Sequence, residues 1–391
     1  SGMSRSEAST ALQPAGRTSL VGKLLNLLVL LVLLYVFLWS IALFGAAFKL
    51  VGKEFSRQLI ATTTNPVVGL MIGLLATSLI QSSSSTTSIV VGMVAGGALT
   101  VQNAVPIIMG ANMGTTVTNT LVAMTSLNRR TEFRRAFAGA TMHDFFNLLT
   151  IAILFPLEQA THYLQRTATW LTVHLVGTSG GEFPNPVKAA VKPLVHATQE
   201  LLTDTFGLGR GAATIVMIAL ALVGIFFALT FLTKTLKRLV LHRAEGAFTK
   251  NVRKSGLGAM VMGLVVTVSV QSSSITTSLL VPLIGAGIVP LQAAFAATLG
   301  ANVGTTVTAL LASLTGSPEA VTVALVHLLF NISGIAIIYP VPFLRNIPLR
   351  LARLLALQTL RRRWFALVYL FGVFFVMPLL FVLIDRVLRG S

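Results

Sequence analysis

The sequence contains no cysteine and few charged residues. The absence of cysteine among 391 residues excludes disulfide bonds, thiol redox chemistry and thiolate metal sites. Only 10% of the residues are charged, 54% are hydrophobic and the mean hydropathy is +0.84, which a water-soluble domain of this length would not tolerate. Walker, protein-kinase, dinucleotide-binding and HExxH patterns are also missing. These absences predict an integral membrane protein that no nucleotide motif drives.

Acidic residues are scarce, and the basic residues are unevenly placed. Only 11 acidic residues stand against 29 lysines and arginines, which gives a formal net charge of +18. The cations fall between hydrophobic runs, where the positive-inside bias of membrane proteins places them, so we expect no nucleic acid as a partner. Residues 58–128 and 255–318 contain no charged residue at all. The predicted surroundings of the chain are therefore a lipid bilayer.

Three uncharged apolar runs, residues 24–48, 212–233 and 364–384, are long enough to cross a bilayer as helices. The first run is too long for the apolar region of a signal peptide, so we expect no cleavable one. Around these runs the sequence predicts the following segments: a polar N-terminal segment (1–23), a first transmembrane helix (24–48), a first repeat (58–155), an external connector (156–211), a linking helix with a cytoplasmic loop (212–254), a second repeat (255–343), a basic amphipathic surface segment (344–363) and a C-terminal transmembrane helix (364–391).

Three motifs occur twice. QSSSSTTS at 81–88 returns as QSSSITTS at 271–278, and GANMGTTVT at 110–118 returns as GANVGTTVT at 300–308, both 190 residues later. HDFFN at 143–147 is followed by HLLFN at 327–331, at a separation of 184 residues. A spacing shared by two motifs indicates a duplicated unit with the same functional elements in each copy.

The basic loops predict that the two copies enter the membrane from opposite sides. The charge-free block of the first copy, 58–128, is followed by a cluster of four arginines between 129 and 135, whereas a strongly basic loop at 234–254 precedes the block of the second copy. The charge-free blocks are interrupted by Gly, Ser, Thr and Asn, and backbone freed from a helix at membrane depth must be buried in protein or line a cavity. The predicted fold is therefore all-α, with inverted-topology repeats, re-entrant hairpins and discontinuous helices.

The repeated serine motif suits an oxyanion. Hydroxyls, a carboxamide and the free amides of a helix N-terminus hold an anion without the cost of placing Arg or Lys in the bilayer core. Two such motifs facing each other would surround a tetrahedral oxyanion with donors. The candidate phosphate-binding residues are Gln81, Ser82, Ser83, Ser84, Asn112, Gln271, Ser272, Ser273, Ser274 and Asn302.

Oxygen-bearing residues near these motifs suit a hard cation. The candidates are Thr115, Thr118, Thr305 and Thr308, which follow the two Gly-Ala-Asn segments. Asp144 is the only carboxylate inside a repeat helix, and the second copy has Leu328 in its place. We expect Asp144 to be a cation ligand or a proton carrier, with a capped or snorkelling Asp near the cytoplasmic side as the alternative. His143 and His327 fit a repeated hydrogen bond between helices, with proton transfer as the alternative.

The doubled QSSS, the GANxGTT that follows each and FRRAFAGATMHDFFN at 133–147 resemble the type II sodium-dependent phosphate cotransporter family. The resemblance implies that Gln81–Ser84 and Gln271–Ser274 line a phosphate site. It also implies one sodium site at Gln271, Ser272, Thr305 and Thr308, and another at Asp144 with Asn147 beside it. The implied partners are inorganic phosphate and sodium ions; sodium is the coupling ion and no cofactor is expected.

The function predicted from these features is sodium-coupled phosphate uptake by alternating access, in a multi-pass protein of a bacterial inner membrane that could form oligomers. Transport of another oxyanion and a passive anion channel remain alternatives. A membrane-embedded serine hydrolase is disfavoured, because one His and one Asp cannot serve two serine clusters. We therefore expect no enzymatic activity.

Overall fold

The computed structural model of the protein describes residues 20–51, 53–176, 185–252 and 256–390. Within these ranges the regular structure is helical and contains no strand, which confirms the predicted all-α class. Most of the predicted N-terminal segment, part of the connector and a few positions near 254 and 391 lie outside the described residues.

The α-helices follow one another along the chain, with short 3-10 and π segments between some of them. Their bounds are α1 Leu20–Val51, α2 Lys53–Thr62, α3 Pro66–Ile80, α4 Ser83–Ala95, α5 Val101–Met113, α6 Val117–Met124, α7 Arg130–Thr161, α8 Tyr163–Val176, α9 Pro186–Glu200, α10 Arg210–Val252, α11 Gly256–Val270, α12 Ser273–Gly285, α13 Leu291–Ser313, α14 Pro318–Ile338, α15 Pro342–Arg361, α16 Trp364–Phe371 and α17 Met377–Gly390.

Six stretches of the described chain are long and apolar enough to cross a membrane, which confirms the predicted membrane class. They are Leu20–Leu50, Arg130–Thr161, Arg210–Leu239, Leu291–Ser313, Pro318–Ile338 and Trp364–Leu388. The three apolar runs singled out in the sequence, 24–48, 212–233 and 364–384, each lie inside one of these stretches. The other three carry the polar motifs, which lowers their hydropathy.

Two helical hairpins, α3–α4 and α11–α12, contain the QSSS motifs. Each arm is 13 or 15 residues long, about 20 Å at 1.5 Å per residue, and so is shorter than the hydrocarbon core of about 30 Å. The chain reverses where Gln81 (φ 60°) and Gln271 (φ 57°) adopt the left-handed conformation. The left-handed conformation costs an L-residue about 1 to 2 kcal/mol, so the surrounding packing must hold both glutamines in it. The structure thus has a hairpin reversal at each predicted motif.

Glycines allow each hairpin to touch the next helix backbone to backbone. A Cβ on Gly73 of α3 would lie 2.0 Å from the carbonyl oxygen of Ile107, and one on Gly110 of α5 would lie 1.9 Å from that of Leu70. In the second copy, Gly263 and Gly300 are equally constrained, at 1.9 and 1.8 Å from the nearest carbonyl oxygens. Any side chain would push these helices apart.

The copies pack reciprocally. Helix α7 of the first copy lies against α12 of the second, and α14 of the second lies against α4 of the first. The turns follow the same pattern: Gly285, at the end of α12, adjoins Ala136 of α7, and Ala95, at the end of α4, adjoins Gly316 before α14. Such exchange is what a two-fold relation requires. Opposite orientation in a bilayer stays a prediction.

Much of the predicted connector, residues 156–211, is helical. Helix α7 continues through Pro156 to Thr161, and α8 and α9 follow. In α8, Leu164, Ala168 and Thr172 are buried at intervals of four residues on the face that packs on α14. This helical period is hard to recognise in the sequence because the region is polar overall. The basic segment 344–363 is covered almost entirely by α15, whose apolar face packs on α7.

Candidate functional site

Both QSSS motifs line one cavity of about 320 Å³. Its walls include the whole of both predicted tips, Gln81–Ser84 and Gln271–Ser274, together with Ser85. The remaining lining comes from Ile80 at the end of α3 and from α10, the helix that joins the two copies, which contributes Phe226, Leu229, Thr230, Thr233 and Lys234. Residues 190 positions apart in sequence are therefore brought together.

Each motif begins a helix in the same way. Ser82 caps α4, with an extended backbone and a hydroxyl that accepts from the amide of Ser85 (3.2 Å). Ser272 caps α12 likewise, with Ile275 as the donor (3.4 Å). A cap of this kind satisfies the third helical amide and leaves the first two, those of residues 83 and 84 or 273 and 274, without helical acceptors. The cavity thus receives two helix N-termini with free amides and hydroxyls.

The glutamine side chains are held by threonines of the GANxGTT motifs. Thr118 Oγ1 donates to Gln81 Oε1 (3.0 Å), and Thr308 Oγ1 donates to Gln271 Oε1 (2.9 Å). Gln271 Nε2 donates to the carbonyl of Val268 (2.7 Å), and Gln81 Nε2 donates to the carbonyl of Ser78. Each carboxamide oxygen therefore stands beside a hydroxyl oxygen.

The other two predicted sodium-binding threonines are placed differently. Thr305 Oγ1 donates to the carbonyl of Ala301 in its own helix (3.1 Å). Thr115 is 3% exposed and lies in a 3-10 turn, Gly114–Thr116, that interrupts the first copy between α5 and α6. The equivalent stretch of the second copy is continuous within α13. The predicted helix discontinuity after GAN is therefore found in the first copy, whereas the second has none there.

Asp144 lies beside that interruption. Its side chain is 2% exposed and accepts a hydrogen bond from the Tyr369 hydroxyl (2.6 Å) and another from Thr116 Oγ1. Across the described ranges, no Lys or Arg forms an ion pair with it. A carboxylate held by two neutral donors, with no fixed cation, is costly to bury unless a proton or a mobile cation neutralises it.

The two asparagines of the GAN segments do not line the QSSS cavity. Asn112 Oδ1 lies 3.2 Å from His327 Nε2 and accepts from Asn331 Nδ2 (3.2 Å), so it meets the HLLFN motif of the other copy. Asn302 Nδ2 reciprocally donates to Oδ1 of Asn147 in HDFFN (3.2 Å). All five side chains are buried.

Asn147 joins the two halves of this network, because its Nδ2 also donates to the carbonyl of Asn112 (2.8 Å) and lies 3.1 Å from His143 Nε2. The predicted interhelical hydrogen bond is present at His327. His143 also has an interhelical side-chain partner, Asn302 of the other copy, in addition to Asn147 one turn away on its own helix. Asn147 follows Asp144 by three residues, but its side chain forms hydrogen bonds with the asparagine network and not with the carboxylate.

Sequence reasoning missed three side chains of these sites. Tyr369 is the only hydroxyl-bearing residue in the apolar run 364–384, and that isolation is the signal that could have identified it. Thr116 lies next to the predicted Thr115. Lys234 is the first cation after the run 212–233; its ammonium stands 5.3 Å from the centre of the Phe231 ring and contributes the positive charge among the residues that line the cavity.

A cavity lined by the polar tips of two similar helical hairpins, in a chain whose described residues include six candidate spans, is typical of a polytopic membrane protein with a binding site between its helices. The sequence model described as Na+/Pi-cotransporter matches residues 36–176 and 225–376, and the chain belongs to that family. No solved structure matches the chain significantly.

Two mammalian proteins illustrate the relationship. The chain is 36% identical over 428 residues to sodium-dependent phosphate transport protein 2A of Rattus norvegicus, covering 91% of this chain and 67% of the relative. It is 34% identical over 444 residues to sodium-dependent phosphate transport protein 2B of Homo sapiens, covering 90% of this chain and 64% of the relative. The chain thus spans about two thirds of their length. The named relatives are transport proteins, in agreement with the prediction that the chain is not an enzyme.

Proposed function

We propose that the protein is a symporter that uses sodium entry to carry inorganic phosphate into the cell. The observation that carries this proposal is the single cavity lined by both QSSS tips. Family membership and the names of the relatives support sodium and phosphate as the transported ions.

Phosphate would bind between the two helix N-termini. Hydroxyls of Ser83, Ser84, Ser273 and Ser274 and the free first-turn amides supply donors from two sides, and the positive dipole ends of α4 and α12 add to the attraction. Lys234 adds a positive charge at the same cavity. Asn112 and Asn302 would act indirectly, because their side chains join the two copies and do not line the cavity.

Sodium would bind at oxygen clusters beside the phosphate site. The proposed ligands in the second copy are Gln271, Ser272, Thr305 and Thr308, of which Gln271 and Thr308 already present adjacent oxygens. Thr115 and Thr118 occupy the corresponding places in the first copy. Asp144, with Asn147 one turn away, would hold a further sodium ion, because a bound cation would neutralise its buried carboxylate.

Coupling follows from electrostatics. Moving an anion into a cell with an inside-negative potential costs about 2.3 kcal/mol per charge per 100 mV. If enough sodium ions enter with the anion, the net charge moved becomes positive and the potential favours entry. We propose inverted-topology copies that rock against each other around the shared cavity, so that it opens alternately to each side. The protein would reside in a bacterial inner membrane, alone or as an oligomer.

Proteoliposomes test this function. Uptake of radiolabelled phosphate is expected to need an inward sodium gradient and to fall about 10- to 100-fold in Ser83→Ala and in Ser273→Ala, because each change removes one donor to a charged ligand, worth about 1.5 to 3 kcal/mol. Ser313→Ala is the matched control, because Ser313 is equally buried but donates within α13, outside the cavity.

The same assay separates the alternatives. Phosphate uptake that continues in potassium without sodium would contradict coupling. Sulfate that competes better than phosphate would indicate another oxyanion. Sodium-independent conductance in a planar bilayer would indicate a passive channel.

A further inference from the structure

A second cavity, of about 420 Å³, lies at the end of α12 remote from the QSSS tip. Three elements meet there: the first turns of α7, the turn between α12 and α13, and the middle of α15. Its basic lining residues are Arg134 and Arg135 from α7 and Arg353 from α15. The basic residues of this region place it on the predicted cytoplasmic side.

Among the described residues, no carboxylate forms an ion pair with these three arginines. All three are exposed, and no acidic side chain lines the cavity. The nearest carboxylate in sequence, that of Glu132, is paired with Arg129 (3.0 Å). Three guanidinium groups around one space repel each other, and an anion placed among them would convert that repulsion into attraction.

One of the guanidinium groups lies against the α12–α13 turn. Gly287 in that turn has φ +75°, and a Cβ there would lie 2.7 Å from Arg135 Nη1. A side chain at 287 would therefore both strain the turn and displace the guanidinium. This contact places the Arg135 guanidinium beside a turn of the second copy, although the Arg135 backbone belongs to the first.

The rest of the wall is amphiphilic. Gln292 adds a polar side chain, whereas Ile284, Leu291 and Leu357 are apolar. Arginine matches the oxygens of a phosphate group with paired donors, and apolar walls suit hydrocarbon beside it. The cavity thus combines the two chemistries of an anionic amphiphile.

We propose that this cavity binds a phosphate-bearing anion, supplied either by the head group of an anionic phospholipid or by free phosphate on the cytoplasmic side. The site is separate from the QSSS cavity, with which it shares no lining residue. The distance along α12 from Ser273 to Gly285 is about 18 Å at 1.5 Å per residue. A bound anion would bridge α7 of the first copy to the turn of the second.

The test compares the purified full chain with the triple variant R134Q/R135Q/R353Q. The matched control is R361Q/R362Q/R363Q, which removes the same charge from the end of α15, outside the cavity. In the lipid arm, each protein is reconstituted with equal phosphatidylglycerol and phosphatidylcholine, re-extracted in detergent, and its retained lipid is measured by mass spectrometry. In the phosphate arm, binding of inorganic phosphate is measured without sodium in phosphatidylcholine alone.

We expect the wild type and the control to retain phosphatidylglycerol over phosphatidylcholine, and the cavity variant to lose at least about 5-fold of it, as loss of charge-assisted contacts predicts. Sodium-independent phosphate binding that only the cavity variant loses would assign the site to free phosphate. Either result supports the proposal. No preference for phosphatidylglycerol together with no phosphate binding would overturn it, as would equal losses in both triple variants.

Two further measurements keep folding and transport apart from this result. The thermal unfolding midpoint of the wild type should rise with the bound anion, because a ligand that binds only the folded state stabilises it, and that rise should be absent in the cavity variant. The variant Ser83→Ala should keep the anion at this cavity even if it no longer transports. Failure of transport and failure of the cytoplasmic site are therefore distinguishable.

Discussion

The two copies are alike at the QSSS tips and different one helix away. Gln81 and Gln271 share the left-handed conformation, and their threonine hydrogen bonds measure 3.0 and 2.9 Å. Beyond the tips, the first copy has a 3-10 interruption and a buried aspartate, whereas the second has a continuous helix and Leu328. The duplicated part holds the proposed substrate, and the part that differs carries the formal charge.

This difference suggests a division of labour. Neutral hydrogen-bond donors can be present in both copies because they are cheap to bury in a membrane. A second buried carboxylate would double the free-energy cost of burying charge. In this interpretation, the single Asp144 would let one half respond to the membrane potential, while both halves would hold phosphate. Breaking each common or unequal feature in turn tests this interpretation.

The largest effect is expected where the copies are most alike, at the glycine contacts. Gly73→Ala and Gly263→Ala each place a methyl group within about 2 Å of a carbonyl oxygen, so each should destabilise the protein by about 3 kcal/mol, the upper end of the usual cost of overpacking. Thermal unfolding followed by size exclusion measures this. Gly211→Ala is the control, because no atom lies within 4 Å of its added Cβ. Wild-type stability in one of the two variants would show that the copies pack differently.

The next largest effect is expected at Asp144, which is a leucine, Leu328, in the second copy. Asp144→Asn keeps the shape of the side chain and removes its charge, so phosphate uptake should lose much of its dependence on an imposed potassium-diffusion potential. One charge fewer across the field is worth about 2.3 kcal/mol per 100 mV. Uptake into proteoliposomes at several potentials measures the slope. An unchanged slope would mean that the charge is carried elsewhere.

A smaller effect is expected at the glutamine–threonine pairs. If the second copy holds sodium at this pair, Thr308→Val should raise the sodium concentration for half-maximal uptake about 10-fold, equivalent to about 1.4 kcal/mol. Thr118→Val should raise it less. Sodium activation curves of the two variants provide the comparison. Equal shifts would argue for equivalent cation sites in both copies.

The smallest effect is expected at Tyr369. Tyr369→Phe removes one donor from Asp144 and leaves Thr116, so it should lower stability by about 1 to 2 kcal/mol and change sodium activation only slightly. Chemical or thermal unfolding measures the first quantity. A loss of transport as large as that of Asp144→Asn would instead make the hydroxyl part of the ion site.

Much of the site followed from the sequence because it was repeated. The identical spacing of two serine motifs and two GAN motifs predicted their pairing, and both QSSS tips do line one cavity. The role of Asn112 and Asn302 was less predictable. An asparagine beside a binding motif offers the same groups to a ligand as to another helix, and only packing placed these two against the His-x-x-x-Asn motifs of the opposite copies.

The sequence by itself determined the membrane class, the duplication and the positions of the two hairpin tips, because hydropathy and repeated strings are local properties of the chain. Tertiary structure alone decided that Tyr369 and Thr116 hold Asp144, that Lys234 reaches the serine cavity, and that the arginines of α7 and α15 share a space. These neighbours lie on separate helices, and only close packing of the helices determines which side chains meet.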